Sequence, residues 1–158
     1  MIDADRSGHD EEPGDPGDRL PVDHDPALTD DDYRSLAEFR HALRRFLAFS
    51  GRAARDHDIP PAQHQLLLAI RGSAPGRHPS TSDLAEVLQL RLHSVGELID
   101  RAESNGFVER QEDPDDARRS LLALTERGRS VLGALSVLHR RELRTFRTEL
   151  AAILDQLD

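Results

Sequence analysis

The stretch from Ser80 to Gly128 constrains this chain more than any other. Ser80-Thr81-Ser82-Asp83 is a capping signature, with Ser80 and Asp83 at the spacing of a capping box. Leu84, Ala85, Val87 and Leu88 then supply one face of a helix of about two turns. A break follows at Gln89-Leu90. Leu92, Val95, Leu98, Ile99 and Ala102 form the apolar face of a second helix, which Asn105-Gly106 stops. Phe107-Val108-Glu109-Arg110 and Ser120-Leu121-Leu122-Ala123-Leu124 read as two short strands around a hairpin loop, Pro114-Asp115-Asp116-Ala117-Arg118-Arg119.

Helix, turn, helix and hairpin in that order predict a winged helix-turn-helix. The expected fold is mainly α with a small β-hairpin wing. Thr29 with Asp30, Asp31 and Asp32 starts an N-terminal helix, which Asp58-Ile59-Pro60-Pro61 ends; Gly51 is a point where it can bend. Pro61 opens a further helix whose Leu66, Leu67, Leu68 and Ile70 predict burial on most sides. Thr125 caps a C-terminal helical region, whose apolar positions run from Val131 to Leu157.

Bulk charge obscures this reading. The 158 residues carry a formal net charge of −9, but residues 1–32 hold twelve acids against two arginines. The remainder is close to neutral, at +1. Residues 1–28, rich in Asp, Gly and Pro, are expected to be a disordered acidic tail, and 29–158 the folded domain. Every base is arginine, whose planar fork suits phosphates and guanine edges.

Several classes are excluded or disfavoured. The absence of cysteine removes disulfides, thiolate metal sites and cysteine-based redox sensing. No apolar run reaches the roughly 18 residues of a membrane span. The N-terminus lacks the apolar core of a signal peptide, so the expected location is cytoplasmic. No Ser-His-Asp set, glycine-rich phosphate loop or paired carboxylates stand in a recognisable frame, so no enzyme is expected. No two histidines have the i, i+4 spacing of a helical metal site, and no metal or cofactor is expected.

The second helix carries the functional signal. Opposite its apolar face it presents Arg91, His93, Ser94, Gly96, Glu97 and Arg101. In a helix-turn-helix the first residues of the second helix meet base edges. Arg91 suits a bidentate pair with guanine, and His93 and Ser94 suit bases or phosphates. Gly96 permits close approach to a groove. Glu97 repels phosphate unless it accepts from a cytosine amino group or pairs with Arg101. On the hairpin, Arg118 and Arg119 are candidates for a minor groove, with Asp115 or Asp116 as local partners.

The chain resembles the MarR family of bacterial transcription regulators. The resemblance runs from about Tyr33 to the C-terminus. It rests on Ser82-Asp83-Leu84-Ala85-Glu86, on Ser94-Val95 with Leu98-Ile99-Asp100-Arg101-Ala102-Glu103, and on Gly106-Phe107-Val108-Glu109-Arg110. Asp113 to Arg119 and Leu122-Ala123-Leu124-Thr125-Glu126-Arg127-Gly128 complete it. It implies a homodimer joined through N- and C-terminal helices, about 29–57 and 126–158, around a winged core of about 60–125. It implies binding to double-stranded DNA at a near-palindromic operator, with Ser82 on the helix before the recognition helix. It makes Arg118 the minor-groove residue and Asp116 its support. It implies repression relieved by a small, often aromatic or phenolic, anion between the dimerisation helices and the DNA-binding lobe. His41 and His64 are the candidates to line that effector pocket; a polar surface position is the alternative for each. Gly96 and Glu97 depart from the family pattern. A winged helix that binds protein rather than DNA is the competing reading.

Overall fold

The computed structural model describes residues 28–74, 78–116 and 120–155. The expected acidic tail, apart from Leu28, lies outside them. Five helices and one hairpin follow in the order α1 (Asp30–Asp56), α2 (Pro61–Arg71), α3 (Thr81–Leu88), α4 (Leu92–Ser104), β1 (Val108–Glu112), β2 (Ser120–Leu124) and α5 (Glu126–Leu154). This is the mainly helical, winged architecture that the order of elements predicts.

Local chemistry sets the boundaries. Thr29 and Asp32 cap α1 reciprocally: the Asp32 N–H donates to Thr29 Oγ1 at 3.2 Å, and the Thr29 N–H donates to Asp32 Oδ2 at 2.6 Å. The Thr29 hydroxyl and N–H hold the Asp32 carboxyl below its ordinary value. Ser80 and Asp83 repeat the device on α3, at 3.3 and 2.8 Å. Gln89, with φ 53°, makes the turn between α3 and α4, and Gly106, with φ 72°, leads the chain from α4 to β1. Thr125 joins three pieces: its Oγ1 accepts from the Gly128 N–H at 3.0 Å and donates to the Gly106 carbonyl at 2.6 Å.

One core runs through the molecule. Leu66, Leu67 and Ile70 of α2 meet Leu84 of α3, Val95, Leu98 and Ile99 of α4, Leu122 and Leu124 of β2, and Leu132 and Leu135 of α5. The hairpin is antiparallel, with Val108 opposite Leu124 and Glu112 opposite Ser120. A single bridge, Ser80 to Leu121, ties the start of α3 to β2. The long helices α1 and α5 lie against each other, with Phe46 stacked on Phe146 at 5.2 Å and Arg45 bonded to Glu149 at 2.9 Å.

α1 runs unbroken through Gly51 over all 27 residues, with Ser50, Ala53 and Ala54 buried beside it. Three local expectations are corrected. β1 starts at Val108, and it extends past Arg110 because Gln111 and Glu112 pair with Leu121 and Ser120 of β2. Val87 and Leu92 do not join the core, being 67% and 56% exposed on opposite sides of the α3–α4 turn. Leu68 leaves the otherwise buried run of α2, 47% exposed on the side that faces α5.

Candidate nucleic-acid interface

Helix α4 is sharply two-sided. Val95, Leu98, Ile99 and Ala102 are buried, while Arg91, His93, Ser94, Glu97 and Arg101 are exposed. Arg91 is the N-cap, with φ −66° and ψ 144°, and no side chain caps the helix, so the first-turn N–H groups stay open to an outside acceptor. Glu97 Oε1 lies 3.3 Å from His93 Nε2, so its side chain leans toward His93 rather than Arg101. A methyl group added at Gly96 meets nothing within 4 Å. Packing therefore does not demand glycine at that position. Ser82 is exposed one residue inside α3, free of the cap that Ser80 provides.

The hairpin is tied to α4 by a residue the sequence did not single out. Arg110 of β1 reaches Asp100 Oδ1 at 2.5 Å and also bonds Glu103, both on α4. The Asp100–Glu103 spacing puts two carboxylates on one side of a helix, one turn apart. That spacing was the available signal. Arg110 is thereby neutralised. Asp116 is half-buried and Asp113 accepts from the Asp115 N–H at 2.9 Å. Arg118 and Arg119 lie outside the described residues.

A second feature sits between α1, α2 and α5. It is a groove of about 600 Å³ with Phe46, Leu47, Leu68 and Leu143 as its apolar surface. Arg140, Arg144 and Arg147 line it along α5. His64 lines it and is 3% exposed, so it is not a surface residue; burial and the neighbouring His139 push its ring down to about 4. His64 Nδ1 has no hydrogen-bond partner. His139, which the sequence reading did not assign to a pocket, stands 4.8 Å from it, centroid to centroid. His139 Nδ1 lies 2.7 Å from the Leu135 carbonyl and Nε2 lies 2.7 Å from Ser50 Oγ. Nδ1 must therefore donate, while Nε2 shares a hydrogen bond with a serine hydroxyl that can serve either as donor or as acceptor. His41 is exposed on α1 and does not line the groove; the helix turns it away from the side that carries Phe46, Leu47 and Ser50. Among the described residues no three His, Asp or Glu side chains come together as a metal site.

Comparison with known proteins agrees with this geometry. Residues 57–119, from the end of α1 through the wing, match the MarR family model. The chain is 33% identical over 92 residues to YdcH of Bacillus subtilis, an uncharacterized HTH-type transcriptional regulator. That match covers 57% of this chain and 63% of YdcH, so the chain spans somewhat under two thirds of that relative's length. Among solved structures, AbsC from Streptomyces coelicolor, a MarR family transcriptional regulator, superposes with a TM-score of 0.66 at 20% identity, over 78% of this chain and 82% of AbsC. MepR of S. aureus, in a complex with DNA, superposes with a TM-score of 0.61 at 22% identity, over 73% of this chain and 83% of MepR. The likeness to AbsC and MepR is one of fold; the sequence match to the MarR family lies across residues 57–119, the helix-turn-helix and the start of the wing.

Proposed function

We propose that this protein is a homodimeric, sequence-specific transcriptional regulator, a repressor that a small anion releases from DNA. The observation that carries the reading is α4: a fully buried apolar face backs an outward face of Arg91, His93, Ser94 and Arg101. Arg91 at the open N-terminus is positioned for guanine, and His93, Ser94 and Ser82 for bases or backbone phosphates. In this reading Glu97, drawn to His93, reads a cytosine amino group rather than facing phosphate. Arg118, supported by Asp116, and Arg119 enter the flanking minor groove. The MepR–DNA complex shares the fold, which supports DNA as the partner.

Dimerisation falls to α1 and α5. Tyr33, Leu36 and Leu154 are 61%, 42% and 48% exposed near the free ends of the two long helices, and a second copy covers such a surface. Two copies place their α4 helices about one helical turn of DNA apart, which suits a near-palindromic operator. The groove between α1, α2 and α5 is the effector site, with His64 and without His41. No helix of the described residues is long and apolar enough to cross a membrane, and a DNA-bound role puts the protein in the cytoplasm.

The test is selection of bound sequences from random DNA, then anisotropy on the selected duplex. Arg91→Ala is expected to relax preference at one base position by about 1–3 kcal/mol. Binding should weaken steeply with salt. A protein that shifts no duplex at low salt and instead co-purifies with a protein partner would support the adaptor reading and end this one.

A further inference from the structure

We propose that the groove between α1, α2 and α5 takes up an apolar anion together with a proton, and that His64 is the group that receives the proton. The inference deepens the effector-site reading and rests on it.

The charges facing His64 are of one sign. From α1 the groove receives Phe46, Leu47 and Ser50, none of which titrates near neutral pH. From α5 it receives His139, Arg140, Arg144 and Arg147. From α2 itself come Gln65 and Leu68. No carboxylate lines it among the described residues. A cation on the His64 ring thus has neighbours that repel it, little water, and no counter-ion.

The two histidines differ in what they can still accept. His139 is held through both nitrogens, by the Leu135 carbonyl and the Ser50 hydroxyl. His64 Nδ1 is buried with no partner. An anion in the groove brings what the His64 ring lacks: negative charge beside it and oxygen acceptors. It also offsets the three guanidinium groups that oppose a further positive charge. The apolar walls and a volume of about 600 Å³ fit a ligand of two fused or linked rings.

Linkage gives the sign and size. Without an anion, burial and His139 hold His64 at about 4. If the bound anion restores it to its ordinary 6.5, affinity becomes about tenfold tighter at pH 5.5 than at pH 7.5. Close to one proton is then taken up per ligand bound at pH 5.5.

The probe is 1-anilinonaphthalene-8-sulfonate, whose sulfonate stays ionised throughout, with the uncharged N-phenyl-1-naphthylamine as its counterpart. Fluorescence titrations of the full chain run at pH 5.5, 6.5 and 7.5. Calorimetry at pH 5.5 in buffers of different ionisation enthalpy counts protons without any mutation. The sulfonate is expected to tighten about tenfold toward pH 5.5 and the uncharged dye to change less than twofold. His64→Gln should flatten the sulfonate's pH profile, and Arg144→Gln should weaken the sulfonate at every pH. A flat wild-type profile, no proton uptake, or an undiminished slope in His64→Gln overturns the proton linkage. A sulfonate that fails to bind at any pH, or that ignores Arg144→Gln, overturns the groove as the anion site instead.

Discussion

Replacing Gly128 by alanine puts a methyl group where the Phe107 carbonyl already sits. The added Cβ would lie 2.0 Å from that oxygen, 3.0 Å from its carbon and 3.3 Å from the Phe107 Cα. All three are backbone atoms, so no side chain can swing aside. The oxygen is further held by the Thr125 N–H at 3.1 Å, and the Phe107 ring is buried, with Arg127 4.9 Å from its centroid. Relief therefore means moving the start of α5 away from the start of the wing by about 1 Å. Overpacking of this kind costs about 3 kcal/mol, the upper end of the usual range. Alanine returns about 1 kcal/mol through helix propensity. The net loss of about 2 kcal/mol lowers Tm by about 4–8 °C for a chain of this size. Gly133→Ala is the control. It sits on the same helix, its Cβ meets nothing within 4 Å, and it should raise Tm by about 1–4 °C. Both are read by circular dichroism melts at one fixed protein concentration, because any self-association makes Tm depend on it. A Gly128→Ala protein that melts at or above wild type refutes the argument.

Three other substitutions follow from the same geometry. His64 has a depressed value of about 4 when folded against 6.5 unfolded, so the unfolded chain binds more protons between those values and stability falls as pH drops through that window. Wild type should lose about 2 kcal/mol more than His64→Leu between pH 7.5 and pH 5 in denaturant titrations; parallel losses would rule this out. Gly96→Ala should raise Tm, because the methyl group finds open space on a helix, yet weaken operator binding by about 1 kcal/mol, or roughly fivefold. Unchanged affinity by anisotropy would remove Gly96 from the DNA face. Ser80→Ala strips the cap from α3 and should cost about 1 kcal/mol, read as a lower denaturation midpoint at unchanged slope.

The features that could be read from the chain are those settled within a few residues. Thr29, Ser80 and Thr125 cap helices through partners three residues away, and Asn105-Gly106 ends α4 by its own backbone preference. The buried stripe of α4 likewise follows from one periodicity. What escaped depends on distant contacts. His64 is buried only because α5 lies across α2 and brings His139 from 75 positions further along the chain. The apolar run Leu66, Leu67, Leu68 gave no sign that its last member faces a groove. The Arg110 bridge left no local trace, since its two carboxylate partners belong to the preceding helix. Glu97 had two basic neighbours at hand, Arg101 and His93, and only side-chain geometry chose between them.

The Arg110 bridge has a consequence for how such a protein can be re-engineered. It fastens the strand that leads into the wing to Asp100 and Glu103 on the rear of α4. α4 and the hairpin therefore travel as one part, with a fixed offset between them. A grafted α4 from another regulator would come loose from its hairpin unless it carried carboxylates at both positions, and a transplanted hairpin would need the arginine. Exchanging this part of the scaffold is thus a matter of moving residues 92–124, α4 with both strands, as a single cassette rather than the helix alone.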